Sequence, residues 1–376
     1  MAEIDSGTQF LTEIEMSDGT TVSVPFLRQS ERSSFKNCQH QWNWVWNEGL
    51  TPALPKQDAR WFGTGVHLAL AEWYVKGTKR GKPLLDTWEN FVGENYNTIS
   101  IGPYFDKAEF VEAKALGVEM LSEYEKFYHG DPEWDVISTE QRYRMRIKNE
   151  HGGVATVLVG TFDAVIRDRN KKVWMLDHKT ARNRITMNHL IKDEQAGTYV
   201  SVGTLVLRQQ GLIGPDEVVH GIIYNFLRKG MRPRHTGKGP RAGTLKEQNE
   251  KGEFLNLDGS VSSAQPSPFF ARDWVIRNTF ERKRQLERIR EESEHMALLR
   301  AGGLPLLKTP GEHCGWCDFK DLCDVDEQGG DVEQFKKAAF RIRDPYADHR
   351  AGAKNSKVSV LADKRAKAKT VKKRAF

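Results

Sequence analysis

The chain has 376 residues, of which 38% are hydrophobic and 29% are charged, and its formal net charge is +6. This length and hydrophobic content are enough for one large domain or two ordinary ones. No apolar run approaches the length of a membrane span, and the N-terminus lacks the basic-then-apolar plan of a signal peptide. These features argue against a membrane protein or a secreted one, and we expect a cytoplasmic protein of a cell without organelles.

The positive charge is concentrated at the C-terminal end of the sequence. Residues 351–376 contain nine Lys or Arg and a single acid, so the rest of the chain is close to neutral. A basic tail is suited to contact with a polyanion such as DNA, although a disordered, solvated terminus has the same composition. We therefore expect residues 340–376 to form a basic flexible tail.

The first elements of the chain are short. Residues 1–27 alternate weakly between polar and apolar side chains, which predicts peripheral strands. Residues 30–38 predict a helix whose start is capped by a serine ahead of Phe35. Cys38 on its own is typical of a small buried hydrophobe, and only other cysteines nearby would favour a metal ligand instead.

A second helix is predicted for residues 60–74, where apolar side chains recur at helical spacing behind Gly63 and Gly65. His67 falls near its first turn. An imidazole at this position either ligates a metal, binds a phosphate or has a purely structural role.

A long amphipathic helix is predicted for residues 106–129 and a strand for residues 135–147. The strand alternates apolar with basic side chains and contains one acid, Glu140. This acid either joins a cluster of other acids or pairs with a neighbouring arginine, and the sequence does not choose between the two.

Two further strands, joined by a polar turn at residues 167–172, each carry an acid within an apolar run. The first includes Gly-Thr-Phe-Asp, ending at Asp163, and the second includes Asp177 and Lys179. Strand alternation places Asp177 and Lys179 on one face, and a hairpin would bring Asp163 to the same place. A surface ion pair is one explanation. Two carboxylates and an ammonium predict a divalent-metal site with a cationic helper.

The remaining regular elements complete an alternating pattern. A helix is predicted for residues 194–207, with Gln195 and Tyr199 on one face, and a buried strand for residues 218–227. Strands that alternate with helices predict an α/β fold around a mixed sheet.

A basic and polar loop insertion is predicted for residues 228–268, where Arg and Lys occur among Gly and Pro. Such a basic segment is suited to gripping a phosphate backbone. A charged amphipathic helix is predicted for residues 274–299.

Three of the four cysteines, Cys314, Cys317 and Cys323, follow the spacing C-x2-C-x5-C. Three thiolates in one loop predict metal ligation rather than disulfides. Tetrahedral zinc and an iron–sulfur cluster each need a fourth ligand. Cys38 is the remaining cysteine, and His313 is the nearest rival.

Five short motifs then occur in a recognisable order. They are G-x-x-x-H ending at His67, G-x-x-D ending at Asp163, D-x-K at Asp177 and Lys179, Q-x-x-x-Y at Gln195 and Tyr199, and the four cysteines. Together they resemble the RecB-like PD-(D/E)XK nucleases, and the cysteines resemble their iron–sulfur branch. That branch includes exonucleases of CRISPR adaptation, AddB-type nuclease domains and phage exonucleases.

The resemblance implies a restriction-endonuclease-like core, in which helices flank a central mixed sheet. It also implies a cysteine metal-cluster region that joins the N-terminal and C-terminal segments. On this basis we expect N-terminal peripheral strands at residues 1–27, a nuclease domain at residues 28–339 and the basic tail beyond it.

The resemblance also implies roles for particular residues. The implied ligands of a catalytic Mg²⁺ or Mn²⁺ are His67, Asp163, Asp177 and the backbone carbonyl of His178. Lys179 would orient or help to deprotonate the attacking water, and Gln195 and Tyr199 would hold DNA or support the site. The implied ligands of a 4Fe–4S cluster, with zinc as the alternative metal, are Cys38, Cys314, Cys317 and Cys323. Glu140 fits the upstream acidic position of the family less clearly.

The implied activity is that of a metal-dependent DNA exonuclease in phage or bacterial DNA recombination or end processing. A recombinase or helicase would be supplied in trans, because the sequence contains no helicase P-loop. The alternative is a non-catalytic DNA-binding or assembly module that keeps the nuclease fold. The intact D-x-K motif, the histidine and the second aspartate argue against that alternative.

Overall fold

A mixed β-sheet with helices on both faces forms the centre of the chain. The structure, a computed structural model, describes residues 10–53, 59–102, 105–182, 187–230, 255–256, 258–261, 263 and 269–350. The strands are β1 (Leu11–Glu15), β2 (Thr21–Arg28), β3 (Leu50–Pro52), β4 (Asp135–Lys148), β5 (Val154–Arg167), β6 (Val173–Ala181), β7 (Val219–Arg228), β8 (Phe270–Ile276) and β9 (Phe340–Ile342).

The helices between the strands range from one turn to six turns. They are α1 (Gln29–Asn37), α2 (Gln39–Trp42), α3 (Ala59–Trp73), α4 (Leu84–Ile99), α5 (Lys107–Tyr128), α6 (Met187–Leu190), α7 (Glu194–Gln209), α8 (Thr279–Arg300), α9 (Lys320–Glu327) and α10 (Val332–Ala339). A π-helical turn, Asn43–Asn47, follows α2, and 3₁₀ turns cover Glu312–Trp316 and Ala347–His349.

The main sheet has the order β1-β2-β5-β6-β7-β8 in the described residues, and β4 pairs with the other edge of β5. β5 and β6 form the antiparallel hairpin that the sequence predicts, and β6 runs parallel to β7 with α7 in the connection. The paired segments of β6 and β7 are buried on both faces, which explains their nearly continuous apolar sequences. The prediction of an α/β fold with a mixed sheet flanked by helices is confirmed.

One edge of β5 is shared by two partner strands. Its first half pairs in parallel with β2, up to Val159, and its last residues pair with β6 from Ala164 onward. The segment between them, residues 160–163, pairs with no described strand on that edge, although β4 continues along the opposite edge. The sheet therefore divides at the G-x-x-D motif.

Two large apolar clusters occupy the two faces of the sheet. On one face α3, α4 and α5 pack with Trp88 at the centre, and on the other face α1, α7 and α8 pack around residues such as Val200 and Ile289. A smaller third cluster contains Trp44 and Phe319, from distant parts of the sequence. No helix in the part of the chain that the structure describes has both the length and the apolar character needed to cross a membrane.

Segments from the two ends of the chain meet around this third cluster. β3 pairs antiparallel with β9, and the rings of Trp44 and Phe319 lie 5.6 Å apart. The N-terminal and C-terminal segments are therefore joined by backbone pairing and ring packing in the structure.

Several sequence expectations need correction at the N-terminal end. The first two strands form a hairpin, but β2 also pairs with β5, so it belongs to the central sheet and is not peripheral. The helix α1 is not capped by a serine. Its first residue follows Arg28, whose backbone NH donates to the Glu31 carboxylate at 3.3 Å.

The prediction of a helix from residue 274 is wrong at its start. Trp274 lies in β8, and α8 begins at Thr279 behind an Asn278 cap, whose side chain accepts the NH of Glu281. The loop insertion at residues 228–268 lies largely outside the described residues, and its first residue, Arg228, closes β7.

The tail also begins later than the composition predicts. Residues 340–350 are packed against the body: β9 starts at Phe340, and Tyr346 is fully buried with its hydroxyl donating to Glu31 at 2.6 Å. The basic segment 351–376 lies outside the described residues.

Candidate active site

Asp163 and Asp177 lie side by side where β5 and β6 separate. The last recorded pair between the strands is Ala164 with Leu176, and the two aspartates are the next residue on each strand. The backbone NH of His178 donates to Asp163 Oδ2 at 2.9 Å. The structure therefore brings the two acids together at the division of the sheet.

Lys179 and Gln195 complete a ring of polar contacts around Asp177. Lys179 Nζ lies 2.8 Å from Asp177 Oδ2 and donates to Gln195 Oε1 at 2.6 Å. Gln195 Nε2 donates in turn to Asp177 Oδ1 at 2.8 Å. The amide of one glutamine thus contacts both the carboxylate and the ammonium of the D-x-K motif.

The first turn of α7 positions Gln195. The Asp193 side chain caps this helix by accepting the NH of Ala196. One turn further on, the Tyr199 hydroxyl accepts from Gln195 at 3.0 Å and donates to the Thr161 carbonyl oxygen at 3.0 Å. Tyr199 therefore ties α7 to the unpaired edge of β5.

His67 reaches the acids from α3. Its Nδ1 lies 3.3 Å from Asp163 Oδ2. Burial opposes the charged imidazolium, but the Asp163 carboxylate outweighs it and raises the pKa of His67. The histidine that precedes the hairpin by about a hundred residues in sequence is thus its direct neighbour in space.

The pKa values of the two aspartates move in opposite directions. Burial raises the pKa of Asp177 to about 6, against the opposing effect of Lys179, and the nearby Asp163 charge raises it further. Burial acts in the same sense on Asp163, but His67 and the His178 NH hold its pKa below the usual range. Such a split is typical of two carboxylates that share one site.

Lys179 is held in its charged form. Burial would lower the pKa of its ammonium, but the Asp177 carboxylate outweighs burial and raises that pKa. The half-buried Lys179 ammonium therefore offsets part of the negative charge of the two carboxylates.

The side chain of His178 faces away from the two aspartates. Its Nδ1 lies 2.8 Å from Asn225 Nδ2, and its ring stacks on Tyr74 at 5.9 Å. Burial lowers the pKa of His178 to about 3, so the imidazole is neutral near pH 7. Only the backbone of His178 faces the acids, through the NH that binds Asp163, and a role for its carbonyl oxygen stays a prediction.

Glu140 lies next to the same acids. Thr139 pairs with Ala164 and Gln141 pairs with Phe162, so Glu140 and Asp163 are the residues between these two pairs. Glu140 has a φ of 46°, a left-handed conformation that is uncommon outside glycine and is often found at functional sites. The charge of Glu140 also raises the pKa of His67. The sequence left open whether Glu140 joins the other acids or pairs with a neighbouring arginine. This position favours the cluster of acids.

An open groove of about 890 Å³ leads to Asp163. α1 and the start of α7 form its sides, and β4 and β5 form its floor. The predicted residues His67, Asp163, Gln195 and Tyr199 line it. Sequence reasoning missed the part of this groove that α1 contributes, although serines at helical spacing in residues 30–34 were a signal for a polar helix face.

The donors at this site are suited to a hard divalent cation. Among the described residues, no group of three or more His, Cys, Asp or Glu side chains is arranged to hold a metal ion. Mg²⁺ does not require such a group, because it commonly binds through one or two carboxylates and keeps several waters. Asp163 and Asp177 are two carboxylates that lie side by side.

Cys317 and Cys323 pack against the third cluster, where the two ends of the chain meet. All four cysteines are free thiols that are partly buried. Burial raises the pKa of Cys317 and of Cys323, and the charge of Cys38 contributes to both shifts. The chain therefore brings Cys38 within electrostatic range of the C-terminal cysteines. Among the described residues, no three of these cysteines are arranged as ligands of one metal ion.

Comparison with known proteins identifies the family. No curated protein matches the chain significantly. A solved structure described as "Crystal structure of SSO0001" aligns over 65% of this chain and 81% of its own at 13% identity, with a TM-score of 0.28 that is too low to support an inference. The family model of the PD-(D/E)XK nuclease superfamily matches residues 28–324, a span that contains both aspartates, Lys179 and all four cysteines. The chain belongs to the PD-(D/E)XK nuclease superfamily.

Proposed function

We propose that this nuclease is a metal-dependent DNA exonuclease that hydrolyses phosphodiester bonds. The observation that carries the proposal is the contact ring of Asp177, Lys179 and Gln195 beside Asp163. Asp163 and Gln195 line an open groove. Two carboxylates are suited to hold a divalent cation for phosphodiester hydrolysis, and a fixed ammonium is suited to offset charge on the phosphate.

Asp163 and Asp177 would hold Mg²⁺ or Mn²⁺, with His67 and the His178 carbonyl oxygen as further ligands. The bound cation would lower the pKa of a coordinated water and offset charge on the scissile phosphate. Carboxylate oxygens suit either metal, and an imidazole ligand shifts the preference somewhat towards Mn²⁺.

The protein's own groups then act on the phosphate and the water. Lys179 is an ammonium in the structure, because Asp177 raises its pKa, so it is suited to donating hydrogen bonds rather than to accepting a proton. It would orient the attacking water and offset phosphate charge. Gln195 fixes the position of that ammonium, and Tyr199 fixes α7 against β5.

The choice of an exonuclease rests on the resemblance to the iron–sulfur branch of the RecB-like nucleases. In the same way we propose that Cys38, Cys314, Cys317 and Cys323 bind a 4Fe–4S cluster, with zinc as the alternative. Their free, partly buried thiols and the influence of Cys38 on two C-terminal cysteines support a shared site. Recombination or end processing of phage or bacterial DNA is the corresponding role, together with a recombinase or helicase supplied in trans.

A digestion series on matched linear and circular DNA tests the proposal. With Mg²⁺ or Mn²⁺ present, an exonuclease releases nucleotides or short products from end-labelled linear DNA and leaves closed circles intact, and a chelator stops the reaction. Cleavage of closed circles at the same rate as linear DNA would show that the protein is an endonuclease and not an exonuclease. Binding of DNA ends with no cleavage under either metal would favour a non-catalytic module.

A further inference from the structure

We propose that Asn225 is a positioning residue of the candidate active site. It holds the imidazole of His178 in one orientation, and His178 in turn fixes His67 and Asp163 from behind. The inference rests on the proposed function, because the residues that are positioned are the proposed metal ligands. Asn225 itself is not among the described residues that line the groove.

Three polar residues stand side by side on neighbouring strands of the sheet. His178 on β6 is paired with Asn225 on β7, and Asn225 is paired with Arg272 on β8. Directly paired residues project from the same face, so these three side chains form a row across the sheet. Asn225 is fully buried within an apolar run of β7. A buried amide in such a strand costs free energy unless it is hydrogen-bonded.

Arg272 determines which way the Asn225 amide points. Its Nε donates to Asn225 Oδ1 at 3.2 Å, and a guanidinium can only donate, so the amide oxygen faces Arg272. The amide nitrogen faces the other way. It donates to the Tyr124 hydroxyl at 2.8 Å and lies 2.8 Å from His178 Nδ1. Because an amide nitrogen only donates, His178 Nδ1 is the acceptor, and the proton of the neutral ring is on Nε2.

A buried ion pair anchors the other end of this row. Arg272 binds Asp131 through two contacts, Nη1 to Oδ1 at 2.5 Å and Nη2 to Oδ2 at 2.9 Å. The guanidinium also lies over the rings of Tyr128 and Trp134, at 3.4 Å and 4.0 Å from their centroids. A guanidinium that is held by two oxygens and two rings gives Asn225 a rigid support.

Two tyrosine hydroxyls complete the hydrogen-bond network. Tyr74 donates to Asp131 at 2.6 Å, and its hydroxyl oxygen lies 2.7 Å from that of Tyr124. Since Tyr74 uses its proton on Asp131, Tyr124 donates to Tyr74 and accepts from Asn225. The direction of each hydrogen bond is therefore defined from Asp131 through to His178 Nδ1.

His178 passes this fixed orientation to two groups of the candidate site. Its ring lies nearly at a right angle to the His67 ring, with the centroids 5.7 Å apart, and it stacks on Tyr74. Its backbone NH donates to Asp163 at 2.9 Å. A His178 ring that turned or shifted would therefore remove a support from both His67 and Asp163. Loss of partners that orient metal ligands typically lowers metal affinity about 10–100-fold.

A purely structural role for the network makes a different prediction. In that case, replacement of Asn225 would lower the melting temperature and leave metal binding by the folded protein unchanged. Metal affinity therefore separates a positioning role from a structural one, and it is measured without DNA and without turnover.

Mn²⁺ binding by the full chain tests the inference. Calorimetry would give the Mn²⁺ affinity of wild type, and the binding that is lost in Asp177→Asn identifies the site. We expect Asn225→Leu, which keeps a similar volume but has no hydrogen-bonding group, to bind Mn²⁺ about tenfold more weakly. Tyr346→Phe is the control for lost stability and should match wild type. It removes a hydrogen bond to the buried Glu31, in the apolar cluster on the other face of the sheet.

Two further measurements keep the test decisive if Asn225→Leu fails to fold. Tyr124→Phe removes the hydroxyl that accepts from Asn225, and it should weaken Mn²⁺ binding about threefold. Nitrogen-15 NMR of the histidine rings in wild type would show which nitrogen of His178 carries the proton, with the signals identified by their absence in His178→Asn. We expect the proton on Nε2.

Wild-type Mn²⁺ affinity in folded Asn225→Leu and Tyr124→Phe would overturn the inference, as would a proton on His178 Nδ1 in the wild type. DNA cleavage by wild type alongside such results would leave the proposed function intact. Weaker Mn²⁺ binding by the variants, with no DNA cleavage by wild type under any divalent metal, would refute the proposed function and leave the positioning role standing.

Discussion

Gln195 donates a hydrogen bond of 2.8 Å from its Nε2 to Oδ1 of Asp177. Its Oε1 accepts a bond of 2.6 Å from Lys179 in the same arrangement. An amide carries both a donor and an acceptor, so one side chain bridges a carboxylate and an ammonium in a way that neither an acid nor a base could. The first turn of α7 and the end of β6 are therefore coupled through this residue.

Replacement of Gln195 by glutamate should impair hydrolysis more than replacement by alanine. Gln195→Glu removes the donor to Asp177 and adds a third negative charge near two carboxylates, whereas Gln195→Ala only removes the contacts. We expect kcat for DNA hydrolysis to fall by about 100-fold for glutamate and about tenfold for alanine. Gln334→Glu, an exposed change in α10, is the control. Equal activity of Gln195→Glu and wild type would show that the bridge has no catalytic importance.

Residues 340–350 should contribute to stability although they follow the predicted domain boundary. Removal of residues 351–376 leaves every contact described above intact, so the melting temperature should hardly change. A chain ending at residue 339 loses the β3–β9 pairing, the stacking of Tyr346 on Phe26 at 5.3 Å and the hydrogen bond from Tyr346 to the buried Glu31. We expect a loss of about 3 kcal/mol or more in the free energy of unfolding, measured by urea denaturation.

The variant that lacks residues 351–376 also tests whether this basic segment binds DNA. If this segment contacts phosphates, its removal should flatten the salt dependence of DNA binding. Unchanged salt dependence would mean that the segment takes no part in binding.

The other truncation has its own contradicting result. A chain ending at residue 339 that is as stable as the full chain would contradict the packing of Tyr346.

His349 should make stability depend on pH. Burial, together with Arg28 and Arg142 and against Asp348, lowers the pKa of His349 to about 4 in the folded chain. Between the unfolded value of about 6.5 and this folded value, the unfolded state binds more protons, so stability rises with pH across this window and is level above it. The variant His349→Phe removes this titration.

Urea denaturation of wild type and His349→Phe at several values from pH 4 to pH 7.5 measures the effect. The wild type should lose roughly 2–3 kcal/mol more than the variant as the pH falls through this window. His151→Phe, at an exposed position, is the control for the loss of a histidine. Parallel curves for wild type and His349→Phe would mean that His349 is not buried as described.

The cysteine site should give a visible signal. If it holds a 4Fe–4S cluster, anaerobically purified protein is brown with broad visible absorbance, and Cys314→Ser lowers both the iron content and the melting temperature. The thermal effect follows because the cysteines lie where the two ends of the chain meet. Colourless protein that contains stoichiometric zinc would show that the cysteines bind zinc and not an iron–sulfur cluster. Protein that contains neither iron nor zinc would refute a metal site at these cysteines.

Local patterns were enough to predict much of the fold. The β5–β6 hairpin follows from alternation and a polar turn, and α5 follows from a long helical stripe ending near His129. The start of α8 was placed too early, because β8 extends through Trp274 to Ile276 and the helix begins behind the Asn278 cap. These elements depend mainly on neighbouring residues.

Long-range pairing accounts for what could not be predicted. The division of the sheet depends on β2 pairing with β5 up to Val159, a contact between segments more than a hundred residues apart. Strand alternation and the hairpin predicted the convergence of Asp163 with Asp177, whereas the local sequence left the role of His67 open and only the family resemblance grouped it with the two acids. The burial of Tyr346 was hidden by the charged composition around it, because its partner Glu31 lies at the other end of the chain.

Single-turnover hydrolysis of end-labelled linear DNA by Asp177→Asn tests the central claim most directly. This change keeps the shape of the side chain and removes the charge that would hold a divalent cation, so we expect the Mg²⁺-dependent rate to fall at least about 10³-fold. Asp216→Asn, at an exposed position, should match wild type. Undiminished hydrolysis by a folded Asp177→Asn, or no hydrolysis by wild type with Mg²⁺ or Mn²⁺, would contradict the assignment of this site.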